Sequence, residues 1–231
     1  MKLCVALDLP DEKDNISLAK SLKECDVWLK VGLRSFIRDG KNIISELKSI
    51  NNNFKIFLDL KLYDIPNTMA DAAESIAGLN VEMFNVHASS GKEAMKMVKD
   101  RLKGMKNPPI VLSVTALTSF DDENFKSIYN ESIEKKALQF AKDSFESGLG
   151  GVVCSVYESL MIKSCTNESF LTLTPGIRPF KNAQKDDQKR VADIETAFKN
   201  RCDFIVVGRP IYQAKNPLDA VKKILEILPE K

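Results

Sequence analysis

The 231-residue chain contains one histidine, His87, and five cysteines that form no Cys-x-x-Cys pair. A single histidine excludes metal sites that are built from several histidine ligands. An odd number of scattered cysteines is typical of reduced thiols in a cytosolic protein and not of a disulfide framework. We therefore expect a cytoplasmic protein with free thiols.

Long apolar runs and a strong charge imbalance are also missing. No run approaches the about 18 apolar residues that a membrane-spanning helix requires, and Asp8 interrupts the apolar start before a signal-peptide core could form. The net charge is +2, which indicates neither nucleic acid nor an acidic membrane surface as a partner. The length and the 44% apolar content suit a single domain over residues 1–231.

Short apolar segments alternate with helical patterns along the chain. The eight predicted strands are Leu3–Leu7, Val27–Val31, Lys55–Leu60, Val81–Val86, Ile110–Val114, Gly151–Cys154, Leu171–Thr174 and Phe204–Val207. Apolar stripes at helical spacing follow the fifth and the last of these strands. Eight repeats of strand and helix predict an α/β fold, a (β/α)₈ TIM barrel. The alternative is an open doubly wound sheet, which usually carries a glycine-rich loop after its first strand.

Residues 54–74 contain the most informative strand. Read with a period of two, four aliphatic residues fall on one side, and Asp59 and Lys61 fall on the other. Asp64 follows closely, and Pro66 opens a predicted helix. Charges at the end of an apolar strand are costly to desolvate without a reason. The alternative interpretation is a surface ion pair, with Asp64 as an ordinary helix N-cap.

Polar residues lie at or just after the C-terminal end of nearly every predicted strand, where barrel enzymes build their sites. They are Asp8, Lys30, Asp59 with Lys61, His87, Thr115 with Thr118, Ser155, Arg178, and Gly208 with Arg209. Together they predict a functional site at this end of the barrel. The loops after strands 7 and 8 commonly bind phosphate, because glycine admits the backbone N–H and arginine gives bidentate contacts. We interpret His87 as structural, since it has no partner histidine.

The segment from Asp59 to Thr68, Asp-Leu-Lys-Leu-Tyr-Asp-Ile-Pro-Asn-Thr, resembles the signature of the orotidine 5′-phosphate decarboxylase family. Its DxKxxD core is shared with related barrels, and the Ile-Pro-Asn-Thr continuation is characteristic of this family. Supporting matches span the chain at Ala6-Leu-Asp8, Lys30-Val-Gly32, Val114-Thr-Ala-Leu-Thr118-Ser119, Thr174-Pro-Gly-Ile-Arg178, Asp186-Asp-Gln188 and Val206-Val-Gly208-Arg209. The resemblance implies a homodimer of TIM barrels with active sites shared across the interface.

The resemblance also implies a reaction. Orotidine 5′-phosphate would lose CO₂ to give UMP in de novo pyrimidine biosynthesis, without a metal or other cofactor. Lys30, Asp59 and Lys61 would form a network of alternating charge that is completed by Asp64 of the partner subunit. Lys61 would stabilise the carbanion at C6 of the pyrimidine and then protonate it. Asp59 would face the departing carboxylate.

The other residues that the resemblance implies bind the substrate. Asp8 and Lys30 would bind the ribose hydroxyls, and Thr118 would contact the pyrimidine. Gly208 and Arg209 would hold the phosphate with Arg178 beside them, and Gln188 would bridge phosphate and base. Ile65 also belongs to the binding set, and Thr68 would reach in from the partner subunit.

Three other functions stay open on the sequence. A Mg²⁺-dependent sugar-phosphate lyase of the same superfamily would share the DxKxxD core. A Schiff-base aldolase would use Lys30 or Lys61 as an amine, although neighbouring carboxylates favour the ammonium form. A phosphate-ligand binding barrel without activity is the third, but binding alone does not need Asp59 next to a substrate carboxylate.

Overall fold

The computed structural model describes residues 1–180 and 190–228, and the strands in this part of the chain form one closed parallel barrel. The strands are β1 (Lys2–Ala6), β2 (Trp28–Gly32), β3 (Lys55–Leu62), β4 (Met83–His87), β5 (Ile110–Val114), β6 (Gly151–Val153), β7 (Leu171–Thr174) and β8 (Phe204–Val207). Each strand pairs with the next, and β8 pairs with β1. The (β/α)₈ prediction is confirmed, and the alternative of an open sheet is wrong.

Helices surround the barrel. They are α1 (Glu12–Ser21), α2 (Leu33–Asp39), α3 (Asn42–Ile50), α4 (Pro66–Ala77), α5 (Lys92–Arg101), α6 (Asp122–Tyr129), α7 (Ile133–Glu146), α8 (Val156–Cys165), α9 (Ile194–Lys199), α10 (Arg209–Tyr212) and α11 (Pro217–Ile227), with a 3₁₀ turn at Ala88–Ser90. Both predicted apolar stripes lie on helices, since α7 buries Ala137 and Phe140 and α11 buries Val221 and Ile224. No helix in the described ranges is long and apolar enough to cross a membrane.

The sheet separates two apolar layers. Alternate residues of each strand face outward to the helices or inward to the barrel, so Ile56 and Leu58 of β3 join the outer layer and Phe57 joins the inner one. In the inner layer the rings of Trp28 and Phe204 pack edge to face, with centroids 5.1 Å apart. The next inward residue of β3 after Phe57 is charged, so the apolar filling ends where the site begins.

β3 carries two extra residues near its C-terminal end. Leu58 pairs with Phe84 and Leu62 pairs with Val86, so four steps along β3 match two steps along β4. Within this bulge Lys61 has a φ of 54°, which is uncommon for a residue other than glycine. The predicted end of this strand at Leu60 was therefore wrong, because pairing resumes beyond the bulge. A bulge of this kind redirects a side chain next to a site.

Candidate active site

A cavity of about 500 Å³ opens at the C-terminal ends of the strands. This volume is within the range of pockets that hold small ligands. Eight of the predicted site residues line it: Asp8, Lys30, Asp59, Lys61, Thr118, Arg178, Gly208 and Arg209. The strands thus bring together residues that are distant in the sequence.

Four of these side chains form a row of alternating charge. Lys30 Nζ lies 3.0 Å from Asp8 Oδ1 and 3.5 Å from Asp59 Oδ2. Lys61 Nζ lies 2.6 Å from Asp59 Oδ1. The side chains of Lys30 and Asp59 are 10% and 13% exposed, whereas that of Lys61 is 35% exposed. The row therefore runs from a buried pair to a lysine that faces the open cavity.

The row keeps its buried members ionised. Burial by itself would raise the pKa of Asp59. The charges of Lys30 and Lys61, and the hydrogen bonds that Asp59 accepts, instead hold this pKa below its usual value. Burial would lower the pKa of Lys30, but Asp59 and Asp8 hold it above its usual value. Both charges are therefore present across the neutral pH range.

The sequence interpretation missed Asn85, which lies at the centre of this row. Its side chain is completely buried on β4. Its Nδ2 donates to Asp59 Oδ1 at 2.8 Å, and its Oδ1 accepts from the backbone N–H of Lys61 at 2.7 Å. A signal existed, because Asn85 is a polar residue inside the apolar strand Met83–His87 and a buried amide requires partners.

Gly32 was also missed as a site residue, although it belongs to the matching segment Lys30-Val-Gly32. A Cβ at Gly32 would lie 2.8 Å from Asp8 Oδ1 and 2.9 Å from Lys30 Nζ. Any side chain here would meet the ion pair of Asp8 and Lys30. The close approach explains why β2 ends in a glycine at this point.

Asp64, Ile65 and Thr68 do not line the cavity of their own chain. All three are exposed, and Ile65 is 68% exposed. The Asp64 carboxylate accepts a hydrogen bond from the Ile65 N–H at 2.7 Å, and Ile65 is the N-cap residue of α4. The alternative interpretation of Asp64 as the N-cap is therefore wrong. The structure brings Asp8, Lys30, Asp59 and Lys61 together, but not Asp64.

Described residues that follow β7 and β8, among them Gly176 and Tyr212, also line the cavity. Gly208 precedes the short helix α10, which begins at Arg209. The backbone N–H of Arg178 donates a hydrogen bond to Ala192 O at 2.8 Å, which fixes the main chain of Arg178. Both arginines and Gly208 border the cavity, as predicted from their places after the strands. Gln188 lies outside the described residues.

Comparisons with known proteins agree with this geometry. The model of the orotidine 5′-phosphate decarboxylase / HUMPS family matches residues 1–224. The chain belongs to this family. The orotidine 5′-phosphate decarboxylase of Nitratiruptor sp. is 67% identical over 225 residues, which cover 97% of this chain and 99% of that protein. The orotidine 5′-phosphate decarboxylase of Sulfurimonas denitrificans is 62% identical, over 98% of this chain and 99% of that protein.

Solved structures agree with the family assignment. The crystal structure of orotidine 5′-phosphate decarboxylase from Lactobacillus acidophilus has a TM-score of 0.83 and 35% identity, and 97% of each chain is covered. That from Pyrococcus horikoshii has a TM-score of 0.77 and 27% identity, again over 97% of each chain. The family resemblance seen in the sequence is thus confirmed over the whole barrel.

The buried ion pair of Arg190 and Glu158 links two loops at the cavity. The Arg190 guanidinium bonds to the Glu158 carboxylate, and its Nη2 also donates to Ala116 O at 3.2 Å and Leu117 O at 3.3 Å. The Arg190 N–H donates to Thr118 O at 3.3 Å. Arg190 therefore fixes the end of the β7–α9 connection to the loop that carries Thr118. The sequence offered no signal for this role.

His87 lies beside the decarboxylase-family cavity and is not among its lining residues. Its Nδ1 lies 2.6 Å from Ser89 Oγ, and its ring meets Tyr63 edge to face with centroids 5.9 Å apart. Burial, and then the charge of Lys61, lower the pKa of His87. These contacts stabilise the β4 end and agree with the interpretation of His87 as structural.

Proposed function

We propose that the protein is a lyase that decarboxylates orotidine 5′-phosphate to UMP and CO₂ in pyrimidine biosynthesis, without a metal or organic cofactor. Residues 1–231 form its single catalytic domain. The observation that supports this proposal most strongly is the row Asp8–Lys30–Asp59–Lys61 at the catalytic end of a barrel of this family.

The proposed chemistry depends on Lys61. The bond between C6 and the carboxylate carbon breaks, CO₂ leaves, and the electron pair stays on C6 in an orbital that the ring does not delocalise. An ammonium group fixed beside C6 stabilises this charge and transfers a proton to it, and solvent returns the proton to Lys61. Because Asp59 holds Nζ at 2.6 Å before substrate binds, the stabilising charge is preorganised.

Asp59 faces the departing carboxylate in this proposal. Its ionised state places a negative charge near the substrate carboxylate, and Lys30 and Lys61 on either side balance it. This arrangement contributes to catalysis in two ways. Loss of CO₂ relieves the repulsion between the two carboxylates, and Asp59 positions Lys61.

Charge matching supports an anionic substrate. Among the described residues, five cationic and two anionic side chains line the cavity: Lys30, Arg34, Lys61, Arg178 and Arg209, with Asp8 and Asp59. The excess of three positive charges suits a ligand with both a phosphate and a carboxylate. We assign the phosphate to Arg209, the Gly208 amide and Arg178, with Gln188 bridging to the base. The ribose hydroxyls bind Asp8 and Lys30, and the pyrimidine contacts Thr118. Binding energy at the remote phosphate then serves the reaction at C6.

We propose a cytoplasmic homodimer with shared sites. Asp64, Ile65 and Thr68 follow Lys61 closely in the sequence, yet they are exposed and lie outside their own cavity. Their exposure next to an open active site supports a role in the cavity of a second copy. In the dimer, Asp64 of the partner subunit completes the charge row, and Ile65 and Thr68 of the partner subunit contact the substrate.

The arrangement of Lys30 favours this function over a Mg²⁺-dependent lyase. Its Nζ lies between the carboxylates of Asp8 and Asp59, where a divalent cation shared by the two would have to sit. The positive charge of Nζ would repel such an ion.

The test is to mix the purified protein with orotidine 5′-phosphate and EDTA and to follow the pyrimidine absorbance. We expect full conversion to UMP, with no effect of EDTA. A folded protein that leaves the substrate unchanged would refute the proposed function. Activity that EDTA removes and Mg²⁺ restores would indicate the metal-dependent lyase, and borohydride trapping with substrate would indicate a Schiff base.

A further inference from the structure

Asn85 connects the two residues at the centre of the charge row. One side-chain amide bonds to the carboxylate of Asp59 and to the main chain of Lys61, at 2.8 Å and 2.7 Å. The orientation of the amide follows from its partners. The Lys61 N–H can only donate, so Oδ1 faces it, and Nδ2 then faces the acceptor Asp59.

The contact to Lys61 falls where the backbone is least favourable. Lys61 has its positive φ inside the bulge of β3, a conformation that costs energy for a residue with a side chain. The N–H of Lys61 is bound by the side-chain oxygen of Asn85 on the adjacent strand. Because Asn85 is completely buried, no water competes for this hydrogen bond.

The contact to Asp59 fixes the other end. Asp59 Oδ1 accepts from both Asn85 Nδ2 and Lys61 Nζ, so the amide sets the plane of the carboxylate that holds the ammonium group. Asn85 on β4 thus positions the main chain of Lys61 directly and its side chain through Asp59.

We propose that Asn85 is a positioning residue for the decarboxylation: its amide holds the left-handed backbone of Lys61 and the carboxylate of Asp59 so that Lys61 Nζ faces C6 of the substrate. This inference rests on the proposed function. Asn85 itself is not among the residues that line the cavity, so it would act through Lys61 and Asp59.

Other charges act on the same two groups. Lys30 from β2 faces Asp59, and Asp8, which follows β1, faces Lys30. Cys4 of β1 lies within the field of Lys30 and Asp59. From β4, His87 lies within the field of Lys61. The substitutions proposed below leave all of these groups in place, so their effects report on the amide.

The Asn85→Ala variant removes both hydrogen bonds. We expect kcat to fall about 100-fold, because a displacement of about 1 Å at a catalytic group has this effect. KM and the Kd of UMP should change by less than about threefold, since the phosphate and ribose contacts remain. Loss of the donor also raises the pKa of Asp59. The acidic limb of the kcat profile should therefore move to higher pH.

The Asn85→Asp variant gives the opposite pH dependence. The new carboxyl has the shape of the amide and still accepts from the Lys61 N–H, but when ionised it repels Asp59. When protonated it donates to Asp59 Oδ1, as Asn85 does. We therefore expect kcat of this variant to rise as the pH falls from about 8 to about 5. A residue that served only stability would lower the thermal stability in both variants and leave both pH profiles unchanged.

Ser113→Ala provides the control. Ser113 lies on β5 directly beside β4, is completely buried, and shares a hydrogen bond with Ser144 on α7, away from the cavity. The Ser113→Ala variant should be less stable than the wild type, while its kcat and the pH profile of kcat stay at the wild-type values. Wild-type kcat and pH profile in both Asn85 variants would overturn the proposal.

A crystal structure of Asn85→Ala separates this proposal from the proposed function. We expect Lys61 to leave its positive φ, or its Nζ to move away from Asp59. An unchanged Lys61 would overturn the positioning role whatever the activity. A wild-type protein that does not convert orotidine 5′-phosphate, combined with a displaced Lys61 in the variant, would refute the function and leave the role of Asn85 in place.

Discussion

At the scale of single residues, the carboxylate of Asp59 is the fixed point of the site. It accepts hydrogen bonds from Lys61 and Asn85 and faces Lys30 across 3.5 Å. Lys30 and Asn85 come from the neighbouring strands β2 and β4, and Lys61 lies within the bulge of β3. The carboxylate is therefore oriented before any substrate enters, and this is the condition for electrostatic stabilisation without reorganisation.

Lys61→Ala is expected to lower kcat by more than about 10⁴-fold, because in the proposed mechanism it removes both the stabilising charge and the proton donor. The Kd of UMP should change by less than about tenfold, since the phosphate contacts remain. Steady-state kinetics and calorimetry measure the two effects. Lys199→Ala, which removes an exposed lysine of α9, serves as the control. Equal losses of turnover and of UMP binding would contradict the assigned role of Lys61.

Gly32→Ala tests the close approach at the end of β2. The added methyl group would meet Asp8 and Lys30, and these side chains must move to admit it. We expect kcat/KM to fall about 10- to 100-fold, while the free energy of unfolding changes by less than about 1 kcal/mol because both groups have room in the cavity. Gly78→Ala at the C-cap of α4 is the control and should retain its activity. Wild-type kcat/KM in Gly32→Ala would show that the ion pair tolerates displacement.

At the scale of elements, the loops at the cavity depend on a buried ion pair between α8 and the β7–α9 connection. Arg190→Met leaves the Glu158 carboxylate, which is 5% exposed, without its partner. We expect a loss of about 3–5 kcal/mol in the free energy of unfolding, measured with urea. KM should also rise, because the segment that leads to Thr118 loses the guanidinium hydrogen bonds to Ala116 O and Leu117 O.

A matched surface pair gives the comparison for this experiment. Arg201 and Glu168 are 54% and 63% exposed, so Arg201→Met should cost less than about 1 kcal/mol. Adding Glu158→Gln to Arg190→Met should recover part of the loss, since the uncompensated charge is then gone. Equal costs for the buried and the exposed pair would mean that the pair of Arg190 and Glu158 does not stabilise the loops.

The elements show where prediction from sequence ends. Short apolar runs predicted all eight strands, because burial on both faces of a parallel sheet leaves nearly continuous apolar segments. The bulge of β3 left no such pattern. Lys61 occupies a conformation that its residue type disfavours, and the contacts that stabilise it come from Asn85, 24 residues away.

At the scale of the whole molecule, the proposed dimer predicts complementation between inactive proteins. Asp64→Asn and Lys61→Ala should each be nearly inactive. In a mixed dimer, one site would combine an intact Lys61 with an intact Asp64 of the partner subunit. After subunit exchange in equal amounts we expect up to about a quarter of wild-type activity, because half of the dimers are mixed and each has one intact site. Demonstrated exchange without recovery would contradict the shared site.

The catalytic end of the barrel was predictable for a physical reason. Residues such as Asp8 and Arg209 follow apolar strands directly, and parallel strands in a barrel bring all of their C-terminal ends to one face. Residues that act through a neighbour were not predictable in this way. Arg190 and Asn85 are defined by contacts between elements, and such contacts have no spacing in the sequence.

The bulge of β3 also limits how the length of this strand can change. It contains two extra residues, which is one full period of a strand, so Leu60 and Leu62 still pack against the outer layer and Lys61 still faces the cavity. Insertion or deletion of a single residue here would invert every side chain that follows, whereas a change of two would keep their orientation. Insertions or deletions of an even number of residues should therefore be tolerated at this position, and those of an odd number should not.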